Sequence, residues 1–227
     1  METQFIDIHS HFTPSALLSY GIHPWWFDEE GFDFPKELQR LEQLLRENKL
    51  AAIGETGIDK LHPQTLPQQI ESFEKHILLS ETFQKPLIIH NVKGNDILLR
   101  LHKKHQPRQA WIIHGFNGNE TEVRQLTSRG MYLSVGAALL YKNRKITTSI
   151  KSIPLDYLFF ETDTAEIGIE ELYQQAATVL NLPLATLKKR IFANFARLNL
   201  ATWKPGTNAP GCSSGTMALR NCERVTS

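Results

Sequence analysis

The chain alternates short apolar runs with stretches in which apolar residues recur every three or four positions. Seven runs read as strands, near residues 5–8, 17–22, 51–55, 87–90, 110–114, 131–135 and 157–162. Fully buried parallel strands are continuously apolar rather than alternating, and these runs have that form. Helical spacing fills the gaps. Leu38, Leu41, Leu44 and Leu45 predict a helix over 37–48, and Ile70, Phe73, Ile77 and Leu78 predict one over 67–83, with Pro67 at its start. Ile97, Leu98 and Leu101 mark 95–105, and Val123 and Leu126 mark 119–129, stopped by Gly130. A weaker segment over 142–152 precedes Pro154, and helices over 168–180 and 184–196 are split by Pro183.

Strands therefore alternate with helices from end to end, the order that builds a parallel sheet from βα units. The expected fold class is α/β, a TIM-type (β/α) barrel, because a ring of strands converges the C-terminal ends of many strands on one point. Seven strands are one short of the eight in a complete barrel. The span between His11 and Gly21 is too short for a full helix and strand, so one βα unit is missing or degenerate, or an irregular piece near Pro14 takes its place. Beyond Leu200 the periodicity stops and Pro, Gly, Ser, Thr and Asn dominate. The expected organisation is a barrel over 1–200 and a flexible tail over 201–227.

What the runs end on changes the picture. The first carries Asp7-Ile8-His9-Ser10-His11, and alternate residues of a strand share a side, so Asp7, His9 and His11 would project together. Other runs close on Glu55, His90, His114 and the acids Glu161 and Asp163. A core strand is normally capped by turn residues. Imidazoles and carboxylates at five strand ends form a ligand set for divalent metal. The plain alternatives are surface histidines on the first strand and a helix N-cap at Asp163.

Composition narrows the chemistry. The 227 residues, 41% hydrophobic, suffice for one full core, and no apolar stretch approaches the roughly 20 residues that span a bilayer. With no secretory pattern at the N-terminus, a cytoplasmic protein without membrane contact is expected. Both cysteines, Cys212 and Cys222, lie in the tail, which leaves imidazole and carboxylate as metal ligands in the core. Residues 1–200 hold 22 basic and 23 acidic side chains, no overall basic face for gripping a duplex, though local patches are compatible with that balance.

The motifs together resemble the TatD-related metal-dependent hydrolases. Those that carry the likeness are Asp7-Ile8-His9-Ser10-His11, Gly21-Ile22-His23-Pro24, Ile53-Gly54-Glu55-Thr56-Gly57-Ile58-Asp59, His90, His114-Gly115-Phe116, Glu161-Thr162-Asp163 and Asn194-Phe195-Ala196-Arg197-Leu198, in family order over about 5–198. The resemblance implies a barrel of the amidohydrolase kind with two divalent metal ions, zinc, magnesium or manganese. It implies His9, His11 and Asp163 on one ion, His90 and His114 on the other, and Glu55 bridging them. His23 would reach a substrate phosphate oxygen, and Asp163 would orient the attacking water. Catalytic roles thus fall on Asp163, Glu55 and His23, and substrate contacts on His23 and Lys93. The implied activity is that of a phosphodiesterase or deoxyribonuclease at DNA ends, with DNA or another phosphoester as a transient partner. The oligomeric state is left open.

Departures from the family pattern fall on the substrate side. Val92 stands where an arginine is common two places after the histidine of the fourth run, so Lys93 is the nearest cation. Ala165-Glu166-Ile167 replaces the usual Pro-Tyr-Leu. A metal-dependent hydrolase of another ester, an amide or a lactone is the second reading, and an inactive barrel serving as a binding scaffold is the third. His23 could instead be a packed loop histidine, and Asp59 a turn cap beside Gly57. Trp25-Trp26-Phe27 could line the site or plug the short first loop. His62, His76, His102 and His105 are expected on loops or helix surfaces, and Asn194 in a core hydrogen bond.

Overall fold

The computed structural model describes residues 4–11 and 18–201. Their contacts divide them into two compact units: residues 18–113, and residues 4–11 with 114–201. The irregular piece expected near Pro14 and the tail from residue 202 onward lie outside the described residues.

In the unit over 18–113 four strands run parallel in chain order: β1 (Ser19–Tyr20), β2 (Ala52–Asp59), β3 (Leu87–Val92) and β4 (Trp111–Ile113). The apolar runs predict them because most of their side chains are buried. Ile53, Leu87, Ile88, Ile89 and Ile112 have no exposed surface. Burying each such side chain contributes about 1.5–3 kcal/mol. Three helices cover the strands: α1 (Phe34–Arg46), α2 (Leu66–Phe83) and α3 (Asn95–His105). The Asp33 carboxylate accepts the Lys36 amide at 3.0 Å and starts α1. Gln106, in left-handed backbone at φ 47°, stops α3.

The α2 face differs from its expectation. Leu78, predicted inward, is 54% exposed, and the buried stripe is Gln69, Ser72, Phe73, His76, Ile77 and Ser80. His76, expected on a helix surface, is fully buried. Its Nε2 accepts the Ile22 amide at 3.1 Å and its Nδ1 lies 2.7 Å from the Ser72 carbonyl. Of that polar half, His76 holds the segment before His23, Gln69 accepts the Asp59 amide at 2.9 Å, and Ser80 donates to the Lys85 carbonyl at 2.6 Å.

The other unit carries α4 (Glu120–Thr127), β5 (Tyr132–Val135), α5 (Ile146–Ser149), β6 (Leu158–Phe160), α6 (Ile169–Leu180) and α7 (Leu184–Arg197), with β5 and β6 parallel. Asn119 and Glu122 close a reciprocal capping box at the start of α4. Asn194 is buried and its Nδ2 donates to the carbonyls of Leu155 (2.8 Å) and Leu158 (2.9 Å), the core hydrogen-bonding role expected of it.

Residues 5–8, expected as the first strand, form none. The segment is held beside β6 by backbone bonds from Ile8 to Phe160, from Asp163 to His9 and from His11 to Asp163, at 3.0, 3.0 and 3.1 Å, with one parallel bridge between Ser10 and Asp163. Asp163 sits at φ 50°. Left-handed backbone there breaks the pleat, so the pairing cannot propagate. Six strands form among the described residues, and β1 retains two residues of the run read over 17–22. No helix among the described residues is long and apolar enough to cross a membrane.

Candidate metal centre

Ligand-type side chains gather in each unit. In the first, β2 delivers Glu55 and β3 delivers His90, while His23 precedes the short 3-10 turn Pro24–Asp28. His23, Glu55 and His90 each offer an atom within 4.8 Å of the other two. His23 Nε2 lies 3.5 Å from Glu55 Oε2, and His90 Nδ1 lies 3.9 Å from the same oxygen. Two glycines allow the backbones to close this tightly. A Cβ on Gly57, at φ 141°, would stand 2.2 Å from the His90 carbonyl oxygen, and one on Gly21 would stand 2.5 Å from that of Glu55. Neither contact is tolerable.

The hydrogen bonds sort the two imidazoles by role. His90 Nε2 lies 3.1 Å from Asp59 Oδ2, so it carries the proton, and Nδ1 keeps its lone pair toward Glu55 and His23. A carboxylate on the far nitrogen is the usual support of a metal-binding histidine. His23 is arranged the other way. Its Nδ1 accepts the Trp25 amide at 3.3 Å, which leaves Nε2 as a donor, 3.2 Å from His90 Nδ1. A protonated Nε2 suits donation to an anionic oxygen better than coordination.

Asp59 answers both of its readings. One oxygen accepts the Leu61 amide at 2.9 Å, as a turn cap does, and the other takes His90 and the Trp25 indole N–H at 2.8 Å. Burial acts to raise its pKa. The bonds from His90, Trp25 and Leu61 outweigh burial and hold the carboxyl below the ordinary range. Trp25, 37% exposed, presents its ring to His23 and His90, whereas Trp26 and Phe27 pack on Phe32. Trp25 therefore borders the two histidines, while the first loop that Trp26 and Phe27 could plug lies outside the described residues.

In the second unit His9, His11 and Asp163 come together, each with an atom within 4.8 Å of the others. His9 Nε2 and His11 Nε2 lie 3.7 and 3.4 Å from Asp163 Oδ1. The N-cap reading of Asp163 is not borne out, since the residue capping α6 is Gly168. Asp7, expected beside the histidines, is engaged elsewhere: its carboxylate accepts the Thr162 amide (3.1 Å) and hydroxyl (2.7 Å). Burial pushes Asp7 up to about 6 against those two bonds. His114 stacks near His9, ring centroids 5.1 Å apart, and its Nδ1 is 3.7 Å from Glu161 Oε1.

Glu161 was not singled out from the sequence as distinct from Asp163. It is fully buried and accepts the Gly115 amide. Burial acts to raise it, and His114 beside it, with His9, holds it below the usual carboxylate range. The neighbouring position of two acids on β6's end hides that they divide their work. Lys93, expected at a substrate phosphate, is exposed on the turn between β3 and α3.

Both groups consist of imidazole and carboxylate donors, which fits borderline or hard divalent ions. Comparison with known proteins agrees in kind. The model of the TatD related DNase family matches residues 3–199. An uncharacterized metal-dependent hydrolase of Buchnera aphidicola is 33% identical over 154 residues, a match covering 66% of this chain but 56% of that relative. The human 3'-5' RNA nuclease TATDN2 is 30% identical over 151 residues, 64% of this chain and 19% of the human protein. Among solved structures, the TatD homologue YjjV of Escherichia coli superposes with a TM-score of 0.76 at 20% identity, covering 87% of this chain and 98% of that one, which shows a shared fold.

Proposed function

Because the chain belongs to the TatD related DNase family, we propose that it is a metal-dependent hydrolase of phosphodiesters, a deoxyribonuclease working at DNA ends. The observation that carries this reading is the opposite protonation of the two imidazoles beside Glu55. His90 presents a lone pair backed by Asp59, and His23 presents a proton. One suits a cation and the other a phosphate oxygen.

In this reading residues 1–200 form one hydrolase domain of the barrel kind. His9, His11 and Asp163 would hold one divalent ion and His90 and His114 a second, with Glu55 as a ligand common to them. When bound, such ions set positive charge against phosphate oxygens and acidify water. His23 donates Nε2–H to a non-bridging phosphate oxygen. Asp163 takes the proton as water oxygen attacks phosphorus, the ester P–O bond breaks, and the departing sugar oxygen takes up a proton from water. Asp59 keeps the His90 ring in one tautomer. Trp25 walls the side of His23, and Lys93 attracts the next phosphate. A cytoplasmic location accords with these assignments.

The test is hydrolysis of an end-labelled DNA strand, an RNA strand of the same sequence, a closed circular DNA and simple carboxylic esters, with and without chelator. Shortening of the labelled DNA strand that needs divalent ion, with the circle intact, is expected. His23→Ala should lose this turnover and keep its metal. RNA shortened in preference to DNA would move the substrate to RNA, a second reading favoured by the human nuclease relative. Fast ester or lactone turnover without phosphodiester cleavage would overturn the proposal.

A further inference from the structure

Two stretches of 30 or more residues in the described chain, 123–155 and 172–201, hold no acid, and the first carries the denser run of exposed cations. Between Met131 and Leu155 there is no Asp or Glu, while Lys142, Arg144, Lys145 and Lys151 are cations. Three of these four fall within residues 141–145, all exposed, led by Tyr141 at 58% exposure. No ion pair to Lys142, Arg144 or Lys145 is found among the described residues. An ordinary solvated face mixes its signs. This one does not, in a chain whose first 200 residues balance 22 basic against 23 acidic side chains.

Its place is set by the strand ends. The segment leaves β5 at Gly136, which packs on Glu161, the residue beside His114. It is fastened again where it enters α5: the Ile146 amide donates to Asn117 Oδ1 at 3.2 Å, and Ser149 Oγ donates to the Gly118 carbonyl at 2.7 Å. Asn117 and Gly118 lie three and four residues beyond His114. Both ends of the basic segment are thus tied to the loops that carry and support a ligand histidine.

We propose that residues 141–145 bind the sugar–phosphate backbone of a single-stranded nucleic acid whose end lies in the active site. Lys142, Arg144 and Lys145 contact phosphates, and the Tyr141 ring stacks on a base. A single strand fits better than a duplex because three cations and one ring occupy a short loop rather than a broad face. This inference rests on the phosphodiesterase reading above, and names where its substrate is held outside the metal ligands.

The experiment is fluorescence anisotropy of the full-length protein, with divalent ion, on a labelled single strand whose phosphorothioate linkages slow cleavage, over a salt series. Removing all three cations (Lys142→Ala, Arg144→Ala, Lys145→Ala) should weaken binding about 10-fold or more and flatten the log–log salt slope by about 2, since each phosphate contact contributes roughly 0.7. Tyr141→Ala should weaken binding about 5-fold or more. Lys142→Arg with Lys145→Arg should bind as wild type. Lys188→Ala with Lys189→Ala, on α7, controls for charge alone. Unchanged affinity and slope in the triple variant, an equal loss in the α7 control, or no binding of the strand by wild type would each overturn the proposal. Wild-type turnover of bis(p-nitrophenyl) phosphate reports separately on the phosphodiesterase reading.

Discussion

The two ligand groups are held by different means. Glu55 and His90 ride on β2 and β3, the longest strands, and are set by close-packed glycines and by Asp59 behind the imidazole. His9, His11 and Asp163 sit on irregular backbone, fixed by three main-chain hydrogen bonds and a left-handed residue. One group takes its precision from a sheet and a side-chain relay, the other from the backbone of two paired ends. Substitutions should therefore act differently on the two.

The largest expected effect is at Asp163. Asparagine is at home in left-handed backbone, so Asp163→Asn should fold normally and lose turnover by about 10²-fold or more, the contribution of a positioned base. Metal content by elemental analysis should change far less. Turnover equal to wild type would show that the irregular group is not where the proton goes.

Asp59→Asn probes the other group. Removing the charge behind His90 should weaken metal affinity about 10- to 100-fold, the usual cost of losing such a partner. Isothermal metal titration checks it, and an unchanged affinity would mean that the strands alone orient His90.

Smaller still is the effect of His76→Leu, which leaves the Ile22 amide unpaired at a cost of about 1–3 kcal/mol. Burial lowers the His76 pKa from 6.5 to about 4. A buried neutral imidazole stabilises the fold fully above pH 6.5, where the unfolded form is also neutral, and that contribution drains away as pH falls from 6.5 toward 4. Urea midpoints across this window should fall more steeply for wild type than for the variant. Parallel curves would sever His76 from the acid response.

The comparison also explains what the sequence disclosed. Strands β2 to β6 were legible because their residues are buried on both faces, and α3 matches its predicted span of 95–105 because its apolar positions and its stop coincide. The ligand types at strand ends were legible because chemistry at those positions has no packing reason. Residues 5–8 were not legible, because the break lies in the backbone of Asp163, far along the chain. Roles that depend on a distant partner were hidden too: Asp7 on Thr162, Glu161 on Gly115, His76 on Ile22. For His76 a signal existed, since Gln69, Ser72 and Ser80 share its helical face with Phe73 and Ile77.

The bond between Asp7 and Thr162 joins residues 155 apart. At the usual pace of synthesis, about 5–20 residues per second, the first histidines wait roughly 8–30 s for the segment that fixes them. Closing so long a loop costs entropy that only late contacts repay. His9 and His11 are thus made well before the segment that places them. A nascent chain that met metal ions early would hold two loose imidazoles without Asp163 to complete the set.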